Sequence, residues 1–387
     1  MELTFTPEEN AFREQVREFV RREVTSQVVD RTDGLTEQYD AALHQKLAEN
    51  GWIGMQWPRR YGGQERSHRE LVIFLEEMAY ALAPMGRYVG TVIFVGDSIN
   101  AYGTQWQREH FLPRIARGEI TASLCLTEPD AGSDAAALCT EAREEGDEFH
   151  LSGQKIFISG AEISAYGMVV ARTAPRTEKK SEGISVLLVD LNSEGVQVVP
   201  LWTIAGWRVN QIFFDQVKVP ARMLMGRKNE GWKHIIKETL NFERSSVARV
   251  GMAARLCDDL FAYVREDGRR GQEIPESLLH QLAELKADVE SWRLMSYRVA
   301  WMQSRGEVPG PDASIVKLSS SEGLFRLANL GMDILGHAGR IRSGTQTLAG
   351  RLEWMYRAMQ FHVTGGGTSE IQRNLIARLA LGLPRSL

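Results

Sequence analysis

The chain of 387 residues is 43% apolar and 25% charged, the composition of an ordinary globular protein long enough for two or three domains. Its 46 basic and 50 acidic side chains are mixed throughout, net −4, with no run of one sign; this argues against nucleic acid as a partner and against a membrane anchor. Three scattered cysteines, Cys125, Cys139 and Cys257, exclude a disulfide framework and show no zinc spacing, so no metal is expected and a reducing cytoplasm is the expected setting.

The N-terminal stretch has neither a charged region followed by an apolar core nor any run of about 18 apolar residues, so neither export nor membrane spanning is expected. Thr6 as N-cap, Pro7 at the first helical position and Glu9 closing a capping box predict a first helix with Phe12, Val16, Phe19 and Val20 on one face. Helical periodicity returns over Tyr39 to Asn50 and His68 to Leu82, and the reading stays helical to about residue 117. From Glu119 short alternating runs, among them Ile184 to Val189 and Val196 to Val199, predict a compact β domain, a small barrel, spanning 119–226. After Gly231 long helical patterns resume, from about Trp232 to Glu266, from Pro275 to Ser304 and on to the end. The expectation is therefore an N-terminal helical domain (1–118), a central β-barrel (119–226) and a C-terminal helical bundle (227–387).

Neither G-x-G-x-x-G nor a P-loop is present, so a doubly wound nucleotide fold is not expected. The loop Leu126-Thr127-Glu128-Pro129-Asp130-Ala131-Gly132-Ser133-Asp134 instead concentrates turn-forming and hydrogen-bonding residues; it reads either as a surface turn or as a presenter of N–H groups to phosphate. With Gly153-Gln154-Lys155-Ile156-Phe157-Ile158-Ser159 some twenty residues on, it resembles the flavin-binding region of acyl-CoA dehydrogenases. Gln216 to Ala221, Asn241-Phe242-Glu243-Arg244 and Gly367-Thr368-Ser369-Glu370-Ile371-Gln372-Arg373 follow in the family's order, so the resemblance covers essentially the whole chain.

The resemblance implies FAD as cofactor and α,β-dehydrogenation of an acyl thioester. It places Leu126 and Thr127 at the flavin edge, Gly132 and Ser133 at the pyrophosphate and thioester tail, and Ser159 near flavin N5. Phe157 stands where tryptophan is common, and an aromatic ring there can still cover the flavin face. Thr368 and Glu370 open the last helix, whose positive end favours an anionic cofactor group, although plain capping explains Thr368 nearly as well.

Removing an α proton while the β hydrogen leaves as hydride requires a carboxylate near Cα. The glutamate that many relatives carry in the C-terminal loop is replaced here by Gly366, whose N–H is expected to help hold the thioester carbonyl. A minority of relatives place the base on the first long helix of the C-terminal domain, before an arginine, which points to Glu243 beside Phe242 and Arg244, residues expected to line the substrate site. Glu243, Val247, Val250 and Ala254 recur at i, i+4, i+7 and i+11, which sets the carboxylate on an apolar helix face where desolvation raises its pKa. A structural ion pair of Glu243 is the alternative.

Small residues from Ser245 to Ala254 imply close helix packing or room for an acyl chain. Asp267 occupies the position where many relatives grip the flavin pyrophosphate of a neighbouring subunit with arginine; Arg269 or Arg270 either substitutes for it or belongs to a basic surface turn, the expected role of at least one of them. Asp333 stands where an amide is common, and His337 is expected to be structural. The expected partners are acyl-CoA, with carrier-protein thioesters open, an electron-transfer flavoprotein, and a further copy or a paralogue in a dimer or tetramer. Two rivals stand beside this reading: a half-site subunit completing another chain's flavin site, and a flavin oxidase on the same scaffold.

Overall fold

Helices begin where side-chain chemistry can take up their free N–H groups. Thr6 and Glu9 form the capping box that opens helix α1 (Pro7–Glu23), and Ser67 with Glu70 repeats it at α4 (His68–Tyr80). Short helices α2 (Ser26–Arg31) and α3 (Ala41–Glu49) lie between them. The computed structural model describes residues 4–31, 39–234, 247–269, 274–342 and 347–384. Chain contacts divide the protein into two compact units, residues 1–43, 67–85 and 244–387 in the first and 44–66 and 86–243 in the second.

The second unit carries a single turn α5 (Gly86–Tyr88), an eight-residue π-helical segment Val89–Gly96, then α6 (Asp97–Tyr102) and α7 (Gln105–Ala116). Eight strands follow: β1 (Ala122–Cys125), β2 (Glu141–Glu145), β3 (Glu148–Ile158), β4 (Tyr166–Arg172), β5 (Ile184–Asp190), β6 (Val196–Trp202), β7 (Arg208–Pro220) and β8 (Leu224–Met225). They pair as one sheet in the order β6-β7-β3-β2-β4-β5-β8, with β1 on β4. The central domain is thus the expected β domain, with a pairing path that runs from β6 to β8. Its core gathers Phe149, Leu151, Val169, Leu187, Ile212 and Val217.

Helix α8 (Gly231–His234) is the last described element of the second unit. The first unit packs α1 against α4, and α4 against α9 (Val247–Arg269) and α10 (Glu276–Ser304); α11 (Pro311–Leu335), α12 (Leu348–Thr364) and α13 (Ser369–Leu379) complete the bundle. A buried ion network ties α1, α4 and α10 together: the Glu76 carboxylate accepts from Arg293 Nε at 2.6 Å, Tyr297 OH at 2.5 Å and Arg13 Nη2 at 3.3 Å. Val247, Val250 and Ala254 are all buried, so the described positions of the predicted α9 face do point into the core. The small residues of this helix serve close packing at Gly251, where a β-carbon would sit 2.6 Å from the Glu76 carbonyl oxygen of α4.

No described helix is long and apolar enough to cross a membrane.

Candidate active site

The two stretches singled out in the second unit meet because β1 and β2 share one edge of β4. Cys125 pairs with Val169 and Glu141 with Arg172, so the loop 126–140 leaves and rejoins the sheet at neighbouring positions on that edge. A buried ion pair holds it there. Lys155, on β3 and fully buried, donates from Nζ to Glu128 at 2.8 Å and to the Leu126 carbonyl at 3.0 Å. The Glu128 carboxylate also accepts from the N–H groups of Cys139 at 2.6 Å and Thr140 at 2.9 Å. Burial pushes the Glu128 carboxyl up, but the Lys155 charge and these donors outweigh it, and the carboxyl sits below its ordinary value. Arg172 fastens the far side of the loop, donating to the carbonyls of Leu138 at 2.9 Å and Ala136 at 2.8 Å.

With the interior so occupied, the loop turns its remaining groups outward. Leu126 and Thr127 are half-buried, while Gly132 and Ser133 are exposed. The hydroxyls of Thr127, Ser133 and Ser159 have no hydrogen-bond partner among the described residues. The Thr127 carbonyl accepts from Ile156 N–H at 2.9 Å, which fixes the loop beside β3 at a break in the β3–β7 register between Lys155 and Ile158. At this bulge Phe157 adopts φ +60° and is 58% exposed, against the alternation that a regular strand imposes. The structure therefore brings Leu126, Thr127, Phe157 and Ser159 to one region of the second unit.

The remaining predicted residues lie in the first unit. Helix α12 ends at Thr364, and Gly366 and Gly367 take φ +72° and +90° before Thr368 caps α13 by accepting from Ile371 N–H at 3.3 Å. Two fully buried side chains hold this turn. Lys317 Nζ donates to the Val363 carbonyl at 3.3 Å, and Gln372 Nε2 donates to the carbonyls of Gly366 at 2.9 Å and Gly367 at 3.2 Å. Because a trans peptide sets N–H opposite C=O, drawing these two carbonyls inward turns the N–H groups of Gly367 and Thr368 outward. The N–H groups of Gly366, Gly367 and Thr368 have no partner among the described residues. Glu370 is exposed in the first turn of α13, its carboxyl below the ordinary value through hydrogen bonding to its own backbone N–H and to Thr368.

Phe242, Glu243, Arg244 and Arg270, and the side chains of Asp267 and Arg269, lie outside the described residues. Asp333 and His337 are exposed at and just beyond the end of α11. No group of three or more His, Cys, Asp or Glu among the described residues is arranged to hold a metal. Glu128, Lys155, Arg172 and Gln372 carry the local architecture, yet composition and spacing gave none of them a role. The one available signal was a lysine inside an otherwise strand-like run.

Family models for the N-terminal, middle and C-terminal domains of acyl-CoA dehydrogenases match residues 6–119, 123–217 and 229–381. The chain is 34% identical, over 410 aligned positions spanning all of both proteins, to acyl-CoA dehydrogenase FadE26 of Mycobacterium tuberculosis. It is similar to the solved structure of the Tcur3481-Tcur3483 steroid ACAD, with a TM-score of 0.89 at 32% identity over the whole of both chains. The ChsE4-ChsE5 complex from Mycobacterium tuberculosis gives a TM-score of 0.85 at 33% identity, again over the whole of both chains.

Proposed function

The chain belongs to the acyl-CoA dehydrogenase family, and from that premise we propose that it desaturates the α,β bond of a ring-bearing acyl-CoA, with Glu243 as the α-proton base. As a member it is an FAD-dependent oxidoreductase acting on acyl-CoA. The second unit's residues fit that cofactor: the unpartnered hydroxyls of half-buried Thr127 and Ser159 suit the polar edge of a flavin ring, and the exposed Phe157 ring suits its face. When bound, FAD supplies the acceptor for the β hydrogen, which leaves as hydride.

The chain's own contribution is to position and to move one proton. The Glu243 carboxylate takes the α proton, and the unpartnered N–H of Gly366, with the outward N–H groups of Gly367 and Thr368, receives the negative charge that grows on the thioester oxygen. Ser133, Phe242 and Arg244 are assigned to the thioester, and Thr368 and Glu370 to the cofactor. The observation that carries this reading is the C-terminal turn: held from behind by Gln372, it presents N–H groups and no side-chain carboxylate at Gly366, so the base has to come from another element. The ring-bearing acyl group, and assembly with a paralogue, are supported by the names of the relatives, a steroid ACAD and a two-component complex. An electron-transfer flavoprotein is the proposed oxidant.

Replacing Glu243→Gln is expected to leave the flavin absorption bands in place and to lower turnover by about 10³- to 10⁴-fold. Turnover within threefold of wild type would move the base elsewhere. Expression alone and together with a paralogue separates a self-sufficient enzyme from a half-site subunit, because only the former is coloured and bleached by acyl-CoA on its own.

A further inference from the structure

Beneath the Ser159–Gly160 turn lies a buried polar network that the proposed chemistry does not use. Arg87, 4% exposed, donates from Nη1 to Ser123 Oγ at 3.0 Å and to Ser164 Oγ at 3.4 Å. Ser123 Oγ lies 2.9 Å from the Ser159 carbonyl oxygen, Ser164 Oγ lies 2.8 Å from that of Gly160, and the two hydroxyls are 2.7 Å apart. With the two hydroxyl protons directed to the two carbonyls, both Oγ atoms are left as acceptors, and the guanidinium is the donor that faces them.

The turn sits directly on the guanidinium. Gly160 has φ +67°, and a β-carbon there would lie 2.1 Å from the Arg87 guanidinium carbon, so only glycine fits. Holding the Ser159 carbonyl inward also turns the Gly160 N–H outward. A fixed cation thus stands behind the turn, and an N–H faces away from it on the other side.

We propose that Arg87 is a positioning residue for the flavin: through Ser123 and Ser164 it locks the Ser159–Gly160 turn, and its charge behind that turn favours the reduced cofactor. This rests on the reading that Ser159 meets the flavin near N5. Reduced flavin carries more negative charge than oxidised flavin, and a buried cation on its polar side stabilises the more negative form.

The test is the midpoint potential of the flavin in purified holoenzyme, titrated anaerobically against reference dyes. In Arg87→Met the reduced-to-oxidised ratio at a fixed potential is expected to fall about tenfold, a negative shift of about 30 mV for a two-electron couple. Arg87→Lys keeps the charge and is expected to stay within threefold of wild type. Ser123→Ala unties the turn but leaves the cation, and is expected to fall between the two. A wild-type potential in Arg87→Met with flavin bound overturns the proposal; should that variant not fold, a wild-type potential in Ser123→Ala does so. The potential is read without any thioester, so flavin that acyl-CoA fails to bleach would count against the proposed function and leave the Arg87 result standing.

Discussion

The loop 126–140 and the turn 364–368 perform the same task by different physical means. Each aims polar groups outward while its own backbone is secured from behind. The first is secured by ions: one fully buried lysine, a carboxylate, two N–H donors and an arginine on carbonyls. The second is secured by neutral amide bonds from Gln372 to two glycine carbonyls, with a lysine on the preceding helix end. Buried ions are costly to desolvate and strongly destabilising when half removed, whereas a neutral amide can be lost with little global effect. The loop should therefore be tied to folding of the whole second unit, and the turn should be adjustable almost independently of stability.

The sharpest way to break this contrast is to unpair the ions. Lys155→Met leaves Glu128 buried without its cation and is expected to cost about 3–5 kcal/mol, read by chemical denaturation. A loss below about 1 kcal/mol would mean that the loop is not coupled to the fold. Acid provides the same test without mutation. Glu128 is held below its unfolded value, so its stabilisation is complete above the unfolded carboxyl pKa and fades as pH falls through the folded one. Burial lowers Lys155 despite Glu128, but that linkage acts only as pH falls from the ordinary lysine value to the lowered one, so the acid response belongs to Glu128. Wild type should therefore lose stability below about pH 4, with a steeper slope than a Lys155→Met/Glu128→Leu double variant; equal slopes would remove the pair from the acid response.

At the turn the expected effect is smaller and local. Gln372→Leu should cost about 1 kcal/mol, two neutral hydrogen bonds lost and one buried amide removed. The backbone from Gly366 to Thr368 should nevertheless loosen, read as a fall in its 15N NMR order parameters. Unchanged order parameters would show that the glycines hold their positive φ angles without Gln372.

The α-helical skeleton was legible because its signals are local. The capping box at Thr6 and Glu9 appears as read, and the predicted α9 positions Val247, Val250 and Ala254 are buried. The loop 126–134 was legible as a site only through its resemblance to a family, since its own chemistry equally describes a surface turn. What holds that loop was not legible at all. Lys155 pairs with Glu128 across 27 residues of sequence, and Arg172 reaches Ala136 across 36; such contacts are set by strand order, with β1 and β2 sharing β4, which no periodicity reveals. The bulge at Phe157 was hidden for a related reason: β3 passes through it, and alternation assigns each side chain a face on the assumption that no residue is extra.

Phe157 gives the smallest expected change in stability and the one of opposite sign. A phenylalanine at φ +60° carries strain of order 1 kcal/mol, which glycine would relieve, and at 58% exposure in the free chain its ring returns little by burial. Phe157→Gly is therefore expected to raise stability by roughly 0.5–1 kcal/mol, less the entropy glycine adds to the unfolded chain. The same change removes the aromatic surface proposed to cover the flavin face, so flavin affinity should fall while the denaturation midpoint rises. Phe157→Leu keeps the strain without the ring and should lose affinity with no gain in stability. If instead both variants are less stable than wild type and bind flavin normally, the ring is a packing residue of the second unit and the bulge serves the sheet alone. Rising stability with falling affinity would mean that the backbone is held in an unfavourable conformation where this aromatic face is turned outward.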